Sequence, residues 1–207
     1  MSVQRIVVIG GSAGAVEVLL RVVEALPTNF PAPICVVVHT RSDGPGGVRQ
    51  LLGARGTMTA NEVRNGERLE AGHIYVAPPD HHLLVELITV RLTRGPKENR
   101  FRPAIDPLFR SAAQAYGAAT VGVVLSGNLD DGTAGLWAIK NVGGVAVVQD
   151  PADALFPSMP RSATAHVAVD HVVPAAQLAQ LLARIVSEPV APSSGAHLSR
   201  SLEWKWL

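Results

Sequence analysis

Apolar residues follow two alternating patterns along this chain, short unbroken runs and longer segments with apolar side chains at helical spacing. Residues 5–10 form a mainly β-branched run that ends in glycine, and residues 15–26 follow with helical spacing. Two later runs, residues 34–38 and 120–125, are apolar on both faces, which is typical of strands buried in a parallel sheet. The pattern therefore predicts strands that alternate with helices.

The remaining segments extend this alternation. Further helices are predicted at residues 48–54, 103–116, 132–141 and 178–186, and further strands at residues 57–63, 73–77 and 144–148. Residues 83–93 alternate as two short strands around a turn, which predicts an antiparallel hairpin at an edge. With right-handed crossovers, the prediction is a three-layer α/β fold with a doubly wound, mostly parallel sheet and an antiparallel edge hairpin. We expect one domain over residues 1–187 and a C-terminal tail over residues 188–207, which carries Trp204 and Trp206.

Composition limits the classes of partner. The 207 residues are 47% apolar, which suits one compact domain with a full core. Lys and Arg number 18 against 17 Asp and Glu, and the net charge of +1 provides no general attraction for nucleic acid. No apolar run approaches the roughly 18 residues of a membrane span, and the single cysteine, Cys35, lies in a buried run. We expect a cytoplasmic protein with no nucleic-acid partner and no membrane insertion.

Residues able to perform acyl transfer follow the three most apolar strands. Ser12 lies in a glycine-rich turn before a helix, His39 follows the second run, and Asp130 and Asp131 follow the third. The carboxyl ends of parallel strands share one edge of a sheet, where such folds place their chemistry. A serine hydroxyl needs a base such as histidine, and an aspartate can orient the imidazole. The residues predict a triad of Ser12, His39 and either aspartate.

Each candidate also has a simpler interpretation. Ser12 could cap the following helix, and Asp130 and Asp131 could form a turn and a helix cap. A dinucleotide-binding turn is disfavoured because the G-x-G-x-x-G spacing is absent. His81 and His82 could suggest a metal, but adjacent residues on a strand point to opposite faces, so no metal site is expected.

Several segments, in this order, together resemble the chemotaxis protein-glutamate methylesterase family, in its CheB catalytic domain. They are VIGGSAG at 8–14, VH at 38–39, GERLEAGHIYVAPPD at 66–80, NRFRPAIDPLF at 99–109, LSGNLDDG at 125–132 and MPR at 159–161. The resemblance spans about residues 6–185. It implies Ser12 as nucleophile, His39 as base and Asp131, rather than Asp130, as the orienting acid.

The resemblance also implies the reaction. The substrate would be a glutamyl methyl ester on a chemoreceptor, cleaved without a metal or cofactor in chemotaxis-type signal transduction. The oxyanion is expected near the Ala13 amide, with Gly11 and the Asn128 loop completing the site. Four residues are candidate substrate contacts: Arg100, Arg102, Met159 and Arg161.

The sequence departs from the family in three respects. Ala13 replaces a frequent threonine, Asn128 and Leu129 replace a Met-Gly pair, and the first strand begins within ten residues, which leads us to expect no receiver domain. A separate response regulator and the C-terminal tail are then candidate regulators. Two alternatives remain open: another activity on the same triad, such as a glutamine deamidase or a different esterase, and a non-catalytic signalling module that binds through residues 40–47 and the tail.

Overall fold

A parallel sheet of seven strands organises the molecule. The computed structural model describes residues 5–39, 47–56 and 58–190. The strands of the sheet are β1 (Ile6–Gly11), β2 (Ile34–Val38), β3 (Thr59–Glu62), β4 (His73–Val76), β7 (Thr120–Val124), β8 (Val145–Gln149) and β9 (His171–Val173). Their order is β3-β4-β2-β1-β7-β8-β9, and every neighbouring pair is parallel. The predicted doubly wound α/β class is confirmed.

Helices cover both faces of this sheet. They are α1 (Ala15–Ala25), α2 (Gly47–Arg55), α3 (Ile105–Tyr116), α4 (Thr133–Asn141), α5 (Ser158–His166) and α6 (Ala175–Ser187). Alternate residues of β1 point to opposite faces, so Val7 and Ile9 join a core with α1, α2 and α6, whereas Ile6 and Val8 join a core with α3, α4 and α5. Burial on both faces explains why these strands are apolar throughout. No helix in the described residues is long and apolar enough to cross a membrane.

The antiparallel hairpin is present but does not extend the main sheet. Its strands, β5 (His82–Val85) and β6 (Val90–Thr93), form a separate two-stranded sheet. Leu83 is buried in the core that contains α3, and the Val85 amide donates to the Ser111 hydroxyl of that helix at 2.9 Å. The predicted edge position is therefore corrected, because the hairpin packs on α3 instead of pairing with an edge strand.

Two elements were not predicted from the sequence, helix α5 and strand β9. Helix α6 also begins three residues earlier than expected, at Ala175. Residues 40–46 and residues from 191 onward lie outside the described part of the chain, and so do most of the predicted tail and of the 40–47 loop.

The strand order reverses its direction at β1, which places the candidate residues together. Strand β1 pairs with β2 on one side and β7 on the other, with Gly11 opposite Val38 and Gly10 opposite Val124. The three strands therefore end at one level of the sheet edge. This is the crevice in which open α/β sheets bind their ligands.

Candidate active site

Ser12 lies in the turn between β1 and α1. Its amide donates to the Ser126 carbonyl oxygen at 2.9 Å, and its carbonyl oxygen accepts from the Ala15 amide at 3.1 Å. Helix α1 follows Gly14, which has a φ of 77°, and no side chain caps this helix. The interpretation of Ser12 as a cap is therefore wrong. Within the described residues its hydroxyl has no hydrogen-bond partner.

His39 follows β2 and lies beside the Ser12 turn. Its amide donates to the carbonyl oxygen of Gly11 at 3.1 Å. The side chain is 2% exposed, and its Nε2 donates to Asp131 Oδ2 at 2.7 Å. Nδ1 is buried and has no hydrogen-bond partner among the residues that the structure describes. Nδ1 is thus the ring nitrogen left to accept a proton.

The ring of Phe101 stacks on the imidazole of His39. The two centroids are 3.6 Å apart and the planes differ by 8°. This contact covers one face of the imidazole with apolar surface. The plane of the ring is therefore held by Phe101 while Asp131 holds its Nε2 edge.

Asp131 is 1% exposed and accepts four hydrogen bonds. Oδ2 accepts from His39 Nε2 at 2.7 Å and from the Ile105 amide at 2.8 Å. Oδ1 accepts from Asn99 Nδ2 at 2.7 Å and from the Asp106 amide at 3.1 Å. Because the two amides open helix α3, Asp131 also caps that helix.

The structure distinguishes the two candidate aspartates. Asp130 is exposed, and its carbonyl oxygen accepts from the Thr133 amide at 3.1 Å. Its side chain has no hydrogen-bond partner among the described residues. Only Asp131 contacts His39, as the resemblance implied.

Asp106 and Asp131 have pKa values that move in opposite directions. Burial alone would raise the pKa of Asp131, but hydrogen bonds from His39, Ile105 and Asn99 lower it below its ordinary value. Burial and the charge of Asp131 together raise the pKa of Asp106. Asp131 therefore stays ionised and can stabilise a positive charge on His39.

Asn99 connects these two carboxyl groups. Its Nδ2 donates to Asp106 Oδ2 at 2.8 Å and to Asp131 Oδ1 at 2.7 Å. It belongs to a tight turn in which Glu98 and Phe101 exchange backbone hydrogen bonds of 3.2 and 2.8 Å. Asn99 and Arg100 have φ values of 49° and 73°, and this turn directs Asn99 to Asp131 and Phe101 to His39. The sequence placed these residues in a family segment but assigned neither role.

Backbone amides near Ser12 provide candidate donors for an oxyanion. The Ala13 amide precedes α1 and has no partner among the described residues. In the predicted loop, the Gly127 amide is already bonded to the Phe156 carbonyl oxygen at 2.9 Å. The Asn128 and Leu129 amides have no partner within the same described residues, which limits the second donor to these two.

Two glycines permit close packing around Ser12. A Cβ at Gly11 would overlap the Cβ of Ala15. A Cβ at Gly127 would overlap the sulfur of Met159 and lie 2.8 Å from the Cβ of Ser12. The Ser12 turn and the Gly127 loop therefore touch without intervening side chains.

The four predicted substrate contacts divide into two pairs. Met159 is fully buried beneath the site loop, and its amide donates to the Gly127 carbonyl oxygen at 3.0 Å. Arg102 donates to Asp80 Oδ1 at 2.6 and 2.9 Å and to two backbone carbonyls. The Met159 side chain is buried, and the Arg102 side chain is 20% exposed and held by Asp80. Both therefore support the structure around the site, and their role as substrate contacts stays a prediction.

Arg100 and Arg161 form the second pair. Both are exposed, and neither side chain has a hydrogen bond or ion pair among the described residues. Both stay predictions as substrate contacts.

A buried network supports the Ser12 turn. The Ser126 hydroxyl donates to the Ala13 carbonyl oxygen at 2.8 Å and accepts from the Phe156 amide at 3.0 Å. The Ser126 amide donates to Gln149 Oε1 at 2.9 Å, and Gln149 Nε2 donates to Asp153 at 2.9 Å. Sequence reasoning missed these residues, although polar residues at the ends of two apolar strands were a usable signal.

His82 is buried and uses both ring nitrogens on the backbone. Its Nε2 bonds the Pro96 carbonyl oxygen at 2.9 Å, and its Nδ1 accepts from the Ala104 amide at 3.2 Å. The described ranges contain no group of three or more side chains that could hold a metal ion. His82 therefore has a structural role that links the hairpin to the start of α3.

Comparisons with known proteins identify one family and several relatives that match most of this chain. The model of the CheB methylesterase family matches residues 7–182. A protein from Leptospira interrogans is 38% identical over 180 residues, which are 86% of this chain and 93% of that protein. Protein-glutamate methylesterase/protein-glutamine glutaminase 2 of Anaeromyxobacter dehalogenans is 38% identical over 177 residues, and the match spans 52% of its length.

A solved structure shares the fold. The crystal structure of the Thermotoga maritima CheB methylesterase catalytic domain superposes with a TM-score of 0.86 at 33% identity, covering 88% of this chain and 98% of that domain. The residues matched by the family model include Ser12, His39 and Asp131. The chain belongs to the CheB methylesterase family.

Proposed function

We propose that this protein is a serine hydrolase that removes methyl esters from glutamate side chains of a methylated protein, with Ser12, His39 and Asp131 as its triad. One observation carries the proposal. The Ser12 hydroxyl lies in the turn next to His39, whose Nε2 is bound to Asp131, and neither that hydroxyl nor His39 Nδ1 has a hydrogen-bond partner in the part of the chain that the structure describes. Ser12 and His39 do not hydrogen-bond in the described structure, and such contacts often tighten only when substrate binds.

The reaction follows acyl-transfer chemistry. Ser12 Oγ attacks the ester carbonyl while His39 Nδ1 takes its proton, and Asp131 stabilises the imidazolium. The carbon–oxygen bond to the methoxy group then breaks, and the imidazolium returns the proton to form methanol. Water, deprotonated by His39, releases glutamate from the acyl-enzyme and restores the serine.

The negative charge on the tetrahedral intermediate requires donors. We assign the Ala13 amide at the positive end of α1 as one donor and the Asn128 or Leu129 amide as the other. Both arise from the backbone, so the change of Ala13 from the usual threonine leaves them in place.

The proposed substrate is a methylated chemoreceptor, which places the protein in the cytoplasm within chemotaxis-type signalling. This part of the proposal rests on the family and on the names of the relatives, which include protein-glutamate methylesterase. A separate response regulator is the candidate regulator, and co-purification with each regulator of the host would test it.

The decisive experiment measures methanol release from a chemoreceptor methylated at its glutamates. Ser12→Ala, His39→Ala and Asp131→Ala should each lower the rate by about 10⁴-fold or more. Ser187→Ala serves as a matched control, because its hydroxyl bonds only the Ala183 carbonyl oxygen in α6. Wild-type rates in folded Ser12→Ala protein would overturn the nucleophile assignment.

Glutamine deamidation on the same triad is the second candidate. The relative from Anaeromyxobacter dehalogenans carries both activities in its name. Ammonia release from the unmethylated receptor, measured beside methanol release, separates the two activities.

A further inference from the structure

Leu129 has a backbone conformation that disfavours leucine. Its φ is 67°, in the left-handed region where the Cβ of an L-residue crowds the following carbonyl oxygen. A glycine, which has no Cβ, would adopt this conformation without such strain. Its side chain is also 50% exposed, so neither its backbone nor its side chain gains from this placement in the isolated protein.

The position of Leu129 is set by contacts on both sides of it. Two residues before it, Gly127 faces the Cβ of Ser12. Two residues after it, Asp131 binds His39. Because two residues span at most about 7 Å, the Leu129 backbone lies within about that distance of both Gly127 and Asp131, at the edge of the site.

A second exposed leucine, Leu155, lies beside the Ser12 turn and belongs to a different loop. Leu155 is 74% exposed, and its Cβ lies 3.1 Å from the position of a Cβ on Gly14. The adjoining Phe156 is fixed by backbone hydrogen bonds to the Ser126 hydroxyl and the Gly127 amide. Leu155 is therefore held beside the Ser12 turn even though its own side chain is in solvent.

Strain that persists beside a reactive group is an indication of function, because the surrounding fold must maintain it. Exposed apolar side chains at a site gain free energy when a partner covers them. The ester group itself must reach Ser12. The two leucines are therefore placed to contact the substrate residues that flank the esterified glutamate.

We propose that Leu129, with Leu155, determines substrate specificity by contacting an apolar side chain that flanks the methyl-esterified glutamate. This inference rests on the proposed function and goes further by naming a feature of the substrate. It predicts that this enzyme prefers esters with apolar neighbours over esters with polar neighbours.

Two synthetic peptides test the proposal. Each carries one glutamyl methyl ester, flanked on both sides by leucines in one peptide and by serines in the other. Wild type should hydrolyse the leucine peptide with a kcat/KM about tenfold above that of the serine peptide. Leu129→Ala should reduce this ratio to about threefold or less, mainly through a higher KM for the leucine peptide.

Controls separate specificity from catalysis and from folding. Leu87→Ala is the matched variant, since Leu87 is 73% exposed in the turn of the β5–β6 hairpin. It should leave the ratio unchanged. Hydrolysis of p-nitrophenyl acetate, which has no flanking residues, measures any effect of Leu129→Ala on the oxyanion site itself. The ratio between the two peptides is taken within each enzyme, so such an effect cancels from it. Leu129→Gly should raise the melting temperature by about 2–4 °C because it removes the strain.

The outcomes distinguish the specificity role of Leu129 from the esterase activity itself. If wild type releases methanol and Leu129→Ala keeps the tenfold ratio, the specificity role is overturned and the esterase activity stands. The role also fails if wild type treats the two peptides alike. If wild type releases no methanol from either peptide or from methylated receptor, the proposed function fails and the inference fails with it.

Discussion

Asp131, which precedes α4, caps helix α3, and Asp106, which belongs to α3, caps helix α4. Asp131 accepts from the Ile105 and Asp106 amides at the start of α3, the helix that contains Asp106. Asp106 Oδ1 accepts from the Gly132 and Gly135 amides at 3.1 and 2.7 Å, at the start of α4 directly after Asp131. The proposed orienting acid is thus positioned by the packing of α3 against α4.

This arrangement predicts how stability depends on pH. The folded-state pKa of Asp131 lies below its unfolded value of about 3.9. Its stabilising contribution is therefore present above that value and is lost as pH falls through the folded pKa. In Asp131→Asn the free energy of unfolding should therefore decrease less than in wild type as the pH falls, as measured by urea unfolding between about pH 2 and pH 6.

Two other variants complete that measurement. Asp130→Asn removes a neighbouring carboxyl whose side chain is exposed and has no hydrogen-bond partner among the described residues, and it serves as the matched control. Asp106 changes stability with pH in the opposite direction. Because its folded-state pKa is raised, its ionisation as the pH rises lowers the free energy of unfolding. Asp106→Asn should therefore remove a destabilising slope above about pH 3.9. An Asp131→Asn profile that matches wild type below this pH would contradict the assignment.

Asn99→Ala should lower kcat by about tenfold to a hundredfold with little change in KM. Removal of the amide leaves the carboxyl groups of Asp106 and Asp131 without their shared donor, at a cost of about 1–3 kcal/mol in stability. The pKa of Asp131 should rise without the Asn99 hydrogen bond, so the loss of stability on acidification should begin at a higher pH in urea unfolding. Asn141→Ala, an exposed change at the end of α4, is the control. An unchanged acid transition would contradict the role of Asn99 in stabilising the Asp131 carboxylate.

Phe101→Ala should impair catalysis through the imidazole. Without the ring stacked at 3.6 Å, one face of His39 opens to water and the plane of the imidazole is no longer held. We expect kcat on p-nitrophenyl acetate to fall about tenfold, and Phe101→Tyr to restore most of it because the ring is retained. Equal rates for the alanine and tyrosine variants would count against stacking as the cause.

Gly127→Ala should be more harmful than an ordinary surface substitution. The new methyl group would meet the sulfur of Met159 and the Cβ of Ser12, so one of them must move. We expect a loss of about 1–3 kcal/mol in unfolding free energy together with a large loss of activity. Gly53→Ala in α2, where the nearest atom is 3.8 Å away, should be neutral or stabilising by about 0.5–1 kcal/mol. Thermal unfolding and methanol release measured on both variants provide the comparison.

Much of the fold was predictable because buried strands and helix faces produce recognisable patterns of apolar residues in the sequence. Strands β1, β2 and β7 are covered on both faces, so their apolar runs are unbroken. Helix α5 was missed because its sequence, SMPRSATAH, has a proline and few apolar residues. Strand β9 has only three residues, too few to show a period.

The site was predictable to the extent that topology determines it. Ser12 and His39 follow adjacent parallel strands, so the strand ends bring them together independently of the loop conformations. The choice of Asp131 over Asp130 depends on contacts with α3, about 25 residues earlier in the chain, which no local pattern encodes. The ion pair between Arg102 and Asp80 was not predicted for the same reason, since the two residues are distant in sequence.

His39 presents Nε2 to Asp131, and this choice has a consequence for how the catalyst is held. Nδ1 is one covalent bond closer to the main chain than Nε2, so the proposed proton acceptor moves little relative to its own backbone. That backbone is hydrogen-bonded to Gly11, the residue before the proposed nucleophile. The register between two neighbouring strands, rather than the conformation of a long side chain or loop, therefore sets how the proposed base is aligned with the proposed nucleophile, and the rigidity of the sheet is passed directly to both.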